Sequence, residues 1–192
     1  MIFLERIRKN LSMAVMLKDD LTPDKMVIGE VFIKVPGAKK SPIKHNTGYF
    51  LLLDLPDGRK YSIIAGGKFY KEKEYKKEEI DPKSLNPQQP FVDVFIEPNA
   101  GYPFPEGLTV LKGKIVDLEY KPIPEVTIKV KDMAEDAISE GNGDFFIHFK
   151  IFAEDKNITL KINKDGYEAK EMTILLKKRI TTRIGIIKLI PK

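Results

Sequence analysis

The chain contains no cysteine and no tryptophan, and it has only two histidines among 192 residues. Without cysteine it can form neither a disulfide bond nor a thiolate metal site, although this absence does not indicate a compartment. The two histidines, His45 and His148, show none of the short spacings (HxH, HExxH) that metal centres use. The sequence therefore predicts no metal site, no cofactor site and no catalytic residues.

Long hydrophobic runs are also missing. The N-terminal stretch MIFLERIRKNLSMAVML is interrupted by charges at Glu5, Arg6, Arg8 and Lys9, so it lacks the apolar core of a signal peptide. No run reaches the roughly 18 apolar residues of a membrane span. We expect a cytoplasmic, soluble protein by default, while noting that export by a dedicated machine would leave no such signal.

The chain also lacks a strong excess of charge of one sign. The chain has 33 Lys and Arg residues against 28 Asp and Glu residues, and the dense run KEKEYKKEE at 71–79 mixes both signs. Nucleic-acid binding would need a patch of one sign interleaved with aromatic residues, so no nucleic-acid partner is expected. The abundance of Lys, Glu and Ile resembles thermophile usage.

An internal repeat is the most informative feature present. IGEVFIKV at 28–35 returns as IPEVTIKV at 123–130, an offset of 95 residues that also brings Phe50 onto Phe145. Further on, the offset becomes 97 and brings Tyr70 onto Tyr167. A match that holds its register over this distance predicts two copies of one domain.

We predict a leader segment at 1–12, domains at 13–98 and 108–192, and a linker at 99–107. The linker contains Pro103 and Pro105, which favour extended backbone, and its two aromatic residues, Tyr102 and Phe104, are expected to pack against a neighbouring domain.

Apolar residues alternate with polar ones in short stretches bounded by turn residues. In VTIKV at 126–130, Val126, Ile128 and Val130 share one face. About seven such strands per copy predict an all-β protein of two tandem antiparallel Greek-key-type β-sandwiches joined by a short Pro-rich linker. Two segments have helical features, 2–12 and the charged segment 71–80.

The second copy runs LKGKIVD, KPIP, VTIKV and then SEGNGDFFI, spanning residues 111–147. This order of motifs resembles the carboxypeptidase regulatory-like domain, a transthyretin-like (prealbumin-like) β-sandwich. The resemblance covers about 108–190, and it reaches the first copy mainly through the repeat. It implies an accessory module without catalytic residues of its own. The sequence departs from the family at Glu125, where a small residue is common.

Two further sets of residues have side chains that could bind a ligand or a partner. The turn EGNGD at 140–144 has oxygen ligands that calcium could use, but an Asn-Gly hairpin explains the same residues. Aromatic residues that could contact a ligand or a partner form the second set. They are Tyr70, Tyr75, Tyr102, Phe104, Tyr120 and Tyr167.

Two hypotheses about function follow. The first is a non-enzymatic structural or protein-interaction module, an accessory part of a larger assembly whose partner is another, unidentified protein. The alternative is a carbohydrate-binding module that uses exposed tyrosines; the absence of tryptophan, which has the largest stacking face, counts against it.

Overall fold

The computed structural model describes residues 9–56 and 58–192; for residues 75–79 it describes the backbone alone. The chain divides into two compact units, which we call unit 1 (Met1–Gly101) and unit 2 (Tyr102–Lys192). This division falls within the predicted linker. No helix among the described residues is both long and apolar enough to cross a membrane.

The described part of unit 1 forms seven strands and one short 3-10 turn (Pro82–Ser84). The strands are β1 (Leu11–Asp19), β2 (Val31–Lys34), β3 (Ile43–Lys44), β4 (Tyr49–Leu53), β5 (Tyr61–Gly67), β6 (Tyr70–Ile80) and β7 (Phe91–Ile96). They make two sheets, with strand orders β3-β4-β1-β7 and β2-β5-β6.

Unit 2 also forms seven strands. They are β8 (Thr109–Val116), β9 (Thr127–Val130), β10 (Asp136–Ile138), β11 (Asp144–Phe149), β12 (Lys156–Asn163), β13 (Lys170–Leu176) and β14 (Thr181–Lys188). Their sheets have the orders β11-β8-β14 and β10-β9-β12-β13.

The two units pair their strands in the same register. Ile33 lies opposite Ala65 in unit 1, and the residues at the repeat offsets, Ile128 and Ile162, lie opposite each other in unit 2. Most pairs are antiparallel as predicted, but the first and last strands of each unit, β1 with β7 and β8 with β14, run parallel. The sequence pattern did not predict this parallel pair.

The third strand distinguishes the two units. In unit 1, β3 pairs with β4, whereas in unit 2 its counterpart β10 pairs with β9, in the other sheet. The sheet that contains the first strand is therefore four strands wide in unit 1 and three strands wide in unit 2.

Each unit buries apolar side chains from both of its sheets in one core. In unit 2, Leu111 and Ile147 of one sheet join Ile128 and Leu160 of the other in a single buried cluster. A core shared by two sheets is that of a β-sandwich, which confirms the predicted fold class. Val126, Ile128 and Val130 are all buried, as their alternation predicts.

The helix considered for residues 71–80 is wrong, because this segment lies in β6 and pairs antiparallel with β5. Alternating charges suit the exposed positions of a strand as well as a helix surface, and the backbone pairing of Ala65 with Lys73 decides between them. Of the other helical candidate, residues 2–8 lie outside the described part, and Leu11 and Ser12 begin β1.

Candidate interaction face

The outer surface of the β3-β4-β1-β7 sheet is apolar. Val15 and Leu17 of β1 are buried in the core, so the alternating residues Ala14 and Met16 face the opposite way. Strand pairing sets Leu51 and Phe91 on either side of Ala14, with Ile43 beyond Leu51 and Tyr49 beside Met16. We call these six residues the apolar face: Ala14, Met16, Ile43, Tyr49, Leu51 and Phe91.

Two members of this face, Phe91 and Ile43, remain half exposed, at 51% and 49%. The rings of Tyr49 and Phe91 contact each other across β1, with centroids 5.2 Å apart, and Ala14 of β1 is only 1% exposed. The outer surface of a two-sheet sandwich normally carries polar residues, so an apolar row that crosses all four strands is unusual for a face in water.

The charges at the edge of the apolar face neutralise each other. Lys18 Nζ lies 2.6 Å from Asp93 Oδ2 and 5.9 Å from the centre of the Phe95 ring. The hydrogen bond to Asp93 raises the pKa of the Lys18 ammonium group. The face therefore presents apolar surface together with an ion pair of no net charge.

Unit 2 carries charge at the equivalent positions. The row Leu51–Ala14–Phe91 of unit 1 corresponds by strand pairing to Phe146–Lys112–Arg183 of unit 2.

The next row shows the same contrast. Tyr49 and Met16 correspond to Asp144 and Lys114, whose charged groups lie 3.5 Å apart. Since both units make the same sandwich, the fold does not require an apolar surface here. The apolar face is a property of unit 1 alone.

The predicted interface residue Phe104 lies on this charged side of unit 2. Its ring packs on Phe146, with centroids 4.8 Å apart, and Lys112 Nζ lies 5.3 Å from the ring centre. Burial, followed by the nearby charge of Arg183, lowers the pKa of Lys112. Tyr102 contacts the Phe104 ring edge-on and is itself buried. Phe104 thus covers Phe146 and approaches Lys112, the counterparts of Leu51 and Ala14 in unit 1.

Tyr70 is buried within unit 1 and 2% exposed, so its ring offers no stacking surface. Its hydroxyl group donates to Asp19 Oδ2 at 2.9 Å and accepts from the backbone N–H of Ile28 at 3.1 Å. Asp19, also buried, accepts from the N–H groups of Leu21 and Thr22 through Oδ1. These bonds tie the turn after β1 to the start of β6.

The remaining aromatic candidates lie apart in the strand order. Tyr120 is exposed in a turn with a left-handed backbone (φ 64°), and Lys188 Nζ lies 3.5 Å from its ring centre. A hydrogen bond to Lys188 lowers the pKa of Tyr120. Tyr167 is half buried against the core of unit 2. Tyr75 belongs to β6, and its side chain lies outside the described part.

Tyr167 lines an open cleft of about 330 Å³ at one end of unit 2. Polar side chains, including Glu125, Asn163 and Asp165, form much of its wall. In unit 1 the residue equivalent to Gly166 is Phe69. The Phe69 ring packs closely on Gly29, and a Cβ atom added to Gly29 would lie 2.9 Å from that ring. The residues at this place therefore differ between the copies.

The turn at 140–144 forms the hairpin that its Asn-Gly pair predicts. Asn142 Oδ1 accepts from the N–H of Asp144, and Asn142 Nδ2 donates to Asp144 Oδ2 at 2.8 Å. These bonds engage oxygen atoms that calcium would require. Within the described part of the chain, no group of three or more His, Asp or Glu side chains is arranged to hold a metal ion.

The apolar face was not among the predicted sites, although the sequence holds a signal for it. MAVML at 13–17 and YFLLL at 49–53 are unbroken apolar runs, which are typical of strands covered on both sides. The corresponding strands of unit 2, TVLKGKIV and DFFIHF, are interrupted by polar residues.

No protein-family model matches the chain, and no curated protein matches it significantly. Similar solved structures include one of a type II cohesin–X-dockerin complex from Acetivibrio cellulolyticus, with 20% identity and a TM-score of 0.34 over 42% of this chain and 56% of that one.

The shaft pilin SpaA of Lactobacillus rhamnosus GG matches over 96% of this chain and 98% of its own, with 10% identity and a TM-score of 0.34. A 3-chlorocatechol 1,2-dioxygenase from Rhodococcus opacus matches with 12% identity and a TM-score of 0.36, over 46% of this chain and 62% of its own. Likenesses this distant carry no argument about function.

Proposed function

We propose that this chain is a non-enzymatic structural or protein-interaction module that joins a larger protein assembly through the apolar face of unit 1. The observation that carries the proposal is the contrast between the copies. At equivalent positions of one fold, unit 1 has Ala14, Met16 and Phe91 where unit 2 has Lys112, Lys114 and Arg183. Burial of such apolar surface against a partner is the main favourable term in protein association.

The resemblance to the carboxypeptidase regulatory-like domain is retained as part of the proposal. Its motif glycines in unit 2 have structural roles. A Cβ on Gly143 would lie 2.3 Å from the carbonyl oxygen of Ile115, and a Cβ on Gly113 would lie 2.7 Å from the Phe145 ring. Motif residues that serve packing support an accessory β-sandwich.

The test transplants the charged pair of unit 2 onto unit 1. Met16→Lys with Tyr49→Asp places at the apolar face the residues that unit 2 carries at Lys114 and Asp144, so the fold has a precedent for them. Tagged wild-type and double-variant chains are used to capture companions from native extract. We expect a companion that the wild type retains and the double variant loses. An untagged copy of this chain counts as a companion.

The matched control is Ile138→Lys, which places a lysine at an exposed position of unit 2. It should retain the companion. A companion held equally by the wild type and the double variant would contradict a role for the apolar face. No specific companion at all would contradict the proposal as a whole.

The second candidate, carbohydrate binding, is favoured by the cleft of unit 2. There the Tyr167 ring is held against the core beside Asn163 and Asp165, whose oxygen atoms could bind sugar hydroxyl groups. A glycan array with the wild type and Tyr167→Ala tests it. Binding that the variant loses would support this function, and an array without binding would remove it.

A further inference from the structure

The apolar face can pack against a second copy of itself. Read from one edge of the sheet to the other, the row is Ile43, Leu51, Ala14 and Phe91. A two-fold axis that runs nearly parallel to the strands, midway between β4 and β1, would place this row opposite the same row of a second copy, in reverse order. Ile43 would then face the partner's Phe91, both of them half exposed. Leu51 would lie over the partner's β1, where Ala14 is only 1% exposed and the Tyr49 and Phe91 rings meet. Each contact occurs twice.

The charge on the face also suits a second copy. Lys18 and Asp93, at the edge of the apolar face, form an ion pair at 2.6 Å, so two copies would bring no unpaired charge together. The equivalent surface of unit 2 could not do the same, because Lys112 would be buried against the partner's Phe146 and both copies would bring the like charges of Lys112 and Arg183 into the contact.

We infer that the occupant of the apolar face is a second copy of this chain, with the two β3-β4-β1-β7 sheets packed face to face. This inference rests on the proposed function, since it names the partner that the same face binds. Aligned packing of two sheets about 10 Å apart is an ordinary way for twisted sheets to bury their apolar faces.

The size of the face sets the expected strength. Four strands about 4.8 Å apart span roughly 19 Å, and the nine residues of β1 extend about 30 Å, so each copy buries at most roughly 550 Å² in projection. Specific interfaces bury about 800 Å² per partner. The dimer should therefore be weak and reversible, and it should form at high chain concentration.

Sedimentation equilibrium of the full chain up to about 500 µM tests for such a weak dimer. We expect a monomer–dimer equilibrium for the wild type and for Ile138→Lys. Phe91→Lys should raise the dissociation constant at least about tenfold, because it buries a charge against an apolar surface. Should Phe91→Lys fail to fold by circular dichroism, Ile43→Lys in the two-residue strand β3 replaces it.

The geometry has its own test, because the chain has no cysteine of its own. Ile43→Cys and Phe91→Cys chains are mixed and treated with a bismaleimide of about 8 Å span, which suits facing residues of sheets about 10 Å apart. The mixture should cross-link, because the two positions face each other. Either variant alone should not, because its two copies would be offset by about three strand spacings, roughly 14 Å, in addition to the separation of about 10 Å between the sheets.

Three results would overturn the inference. They are a wild type that stays monomeric throughout, a Phe91→Lys chain that dimerises as the wild type does, and variants that cross-link alone as readily as in the mixture. The proposed function would still stand if the wild type were monomeric but retained a different companion from extract, and the double variant Met16→Lys with Tyr49→Asp lost that companion. A monomer without any companion would remove both.

Discussion

Replacing Tyr70 by phenylalanine removes one hydroxyl group from the interior of unit 1. That group donates to the buried Asp19 carboxylate and accepts from the N–H of the half-buried Ile28, and both would lose this bond. A hydrogen bond to a charged group contributes about 1.5–3 kcal/mol. We therefore expect Tyr70→Phe to lower the unfolding free energy of unit 1 by about 2 kcal/mol, which for a domain of this size corresponds to roughly 8–16 °C in Tm.

The repeat supplies the matched control, Tyr167→Phe in unit 2. Tyr167 occupies the equivalent position but is half buried, and the counterpart of Asp19 there is Asp117, whose Oδ1 accepts from the N–H groups of Glu119 and Lys121. The Tyr167→Phe change should cost less than about 0.5 kcal/mol.

Hydrogen exchange measured by mass spectrometry, with peptides from β1 and β8 followed separately, reads the opening free energy of each unit. Tyr70→Phe should accelerate exchange in β1 and leave β8 unchanged. The reasoning is refuted if Tyr70→Phe costs less than about 0.5 kcal/mol, or if Tyr167→Phe costs as much as Tyr70→Phe.

Three further predictions concern unit 2. Gly143→Ala should lower the free energy of unfolding in urea by about 2–4 kcal/mol, because φ at Gly143 is 78° and a Cβ would lie 2.3 Å from the Ile115 carbonyl oxygen. The control Gly141→Ala, which has open space around it, should change stability by less than about 0.5 kcal/mol. Glu125→Gly should stabilise by about 0.5–1 kcal/mol, since Glu125 holds a left-handed backbone (φ 57°); an unchanged or lower urea midpoint would contradict this. Burial lowers the pKa of His148 below its usual 6.5, so the unfolded chain binds the proton more tightly than the folded chain. The free energy of unfolding should therefore be at its full value above about pH 7 and fall as the pH drops through 6.5. His148→Gln should remove this pH dependence.

The Glu125 backbone shows why a small residue suits this position in the family that the sequence resembles. A small residue, often glycine, enters a left-handed conformation without the clash that a side chain causes. Glu125 adopts that conformation here, with its N–H donating to the carbonyl oxygen of Ser139. The sequence showed that the residue is unusual, but only the backbone angle shows what the substitution costs.

The candidate site could be predicted only in part. Tyr102 and Phe104 were expected to pack from a linker against a neighbouring domain; both belong to unit 2, where Phe104 packs on Phe146. The apolar face was missed because its six residues come from four strands, and only the strand order places Ile43, Leu51, Ala14 and Phe91 in one row. A run such as MAVML shows that a strand is apolar on both sides, without showing which neighbours extend the surface.

The sequence by itself determined the repeat, the short strands and the residues that face each core, because alternation with a period of two is a local property of the chain. Tertiary structure decided which sheet the third strand joins, and that choice widens the sheet of unit 1 and adds Ile43 to its apolar face. It also decided that residues 70–80 form a strand, and that Tyr70 is buried while Tyr167 is only half buried. These outcomes depend on which strands pair and on what covers their side chains, which the alternation of residues within one segment does not encode.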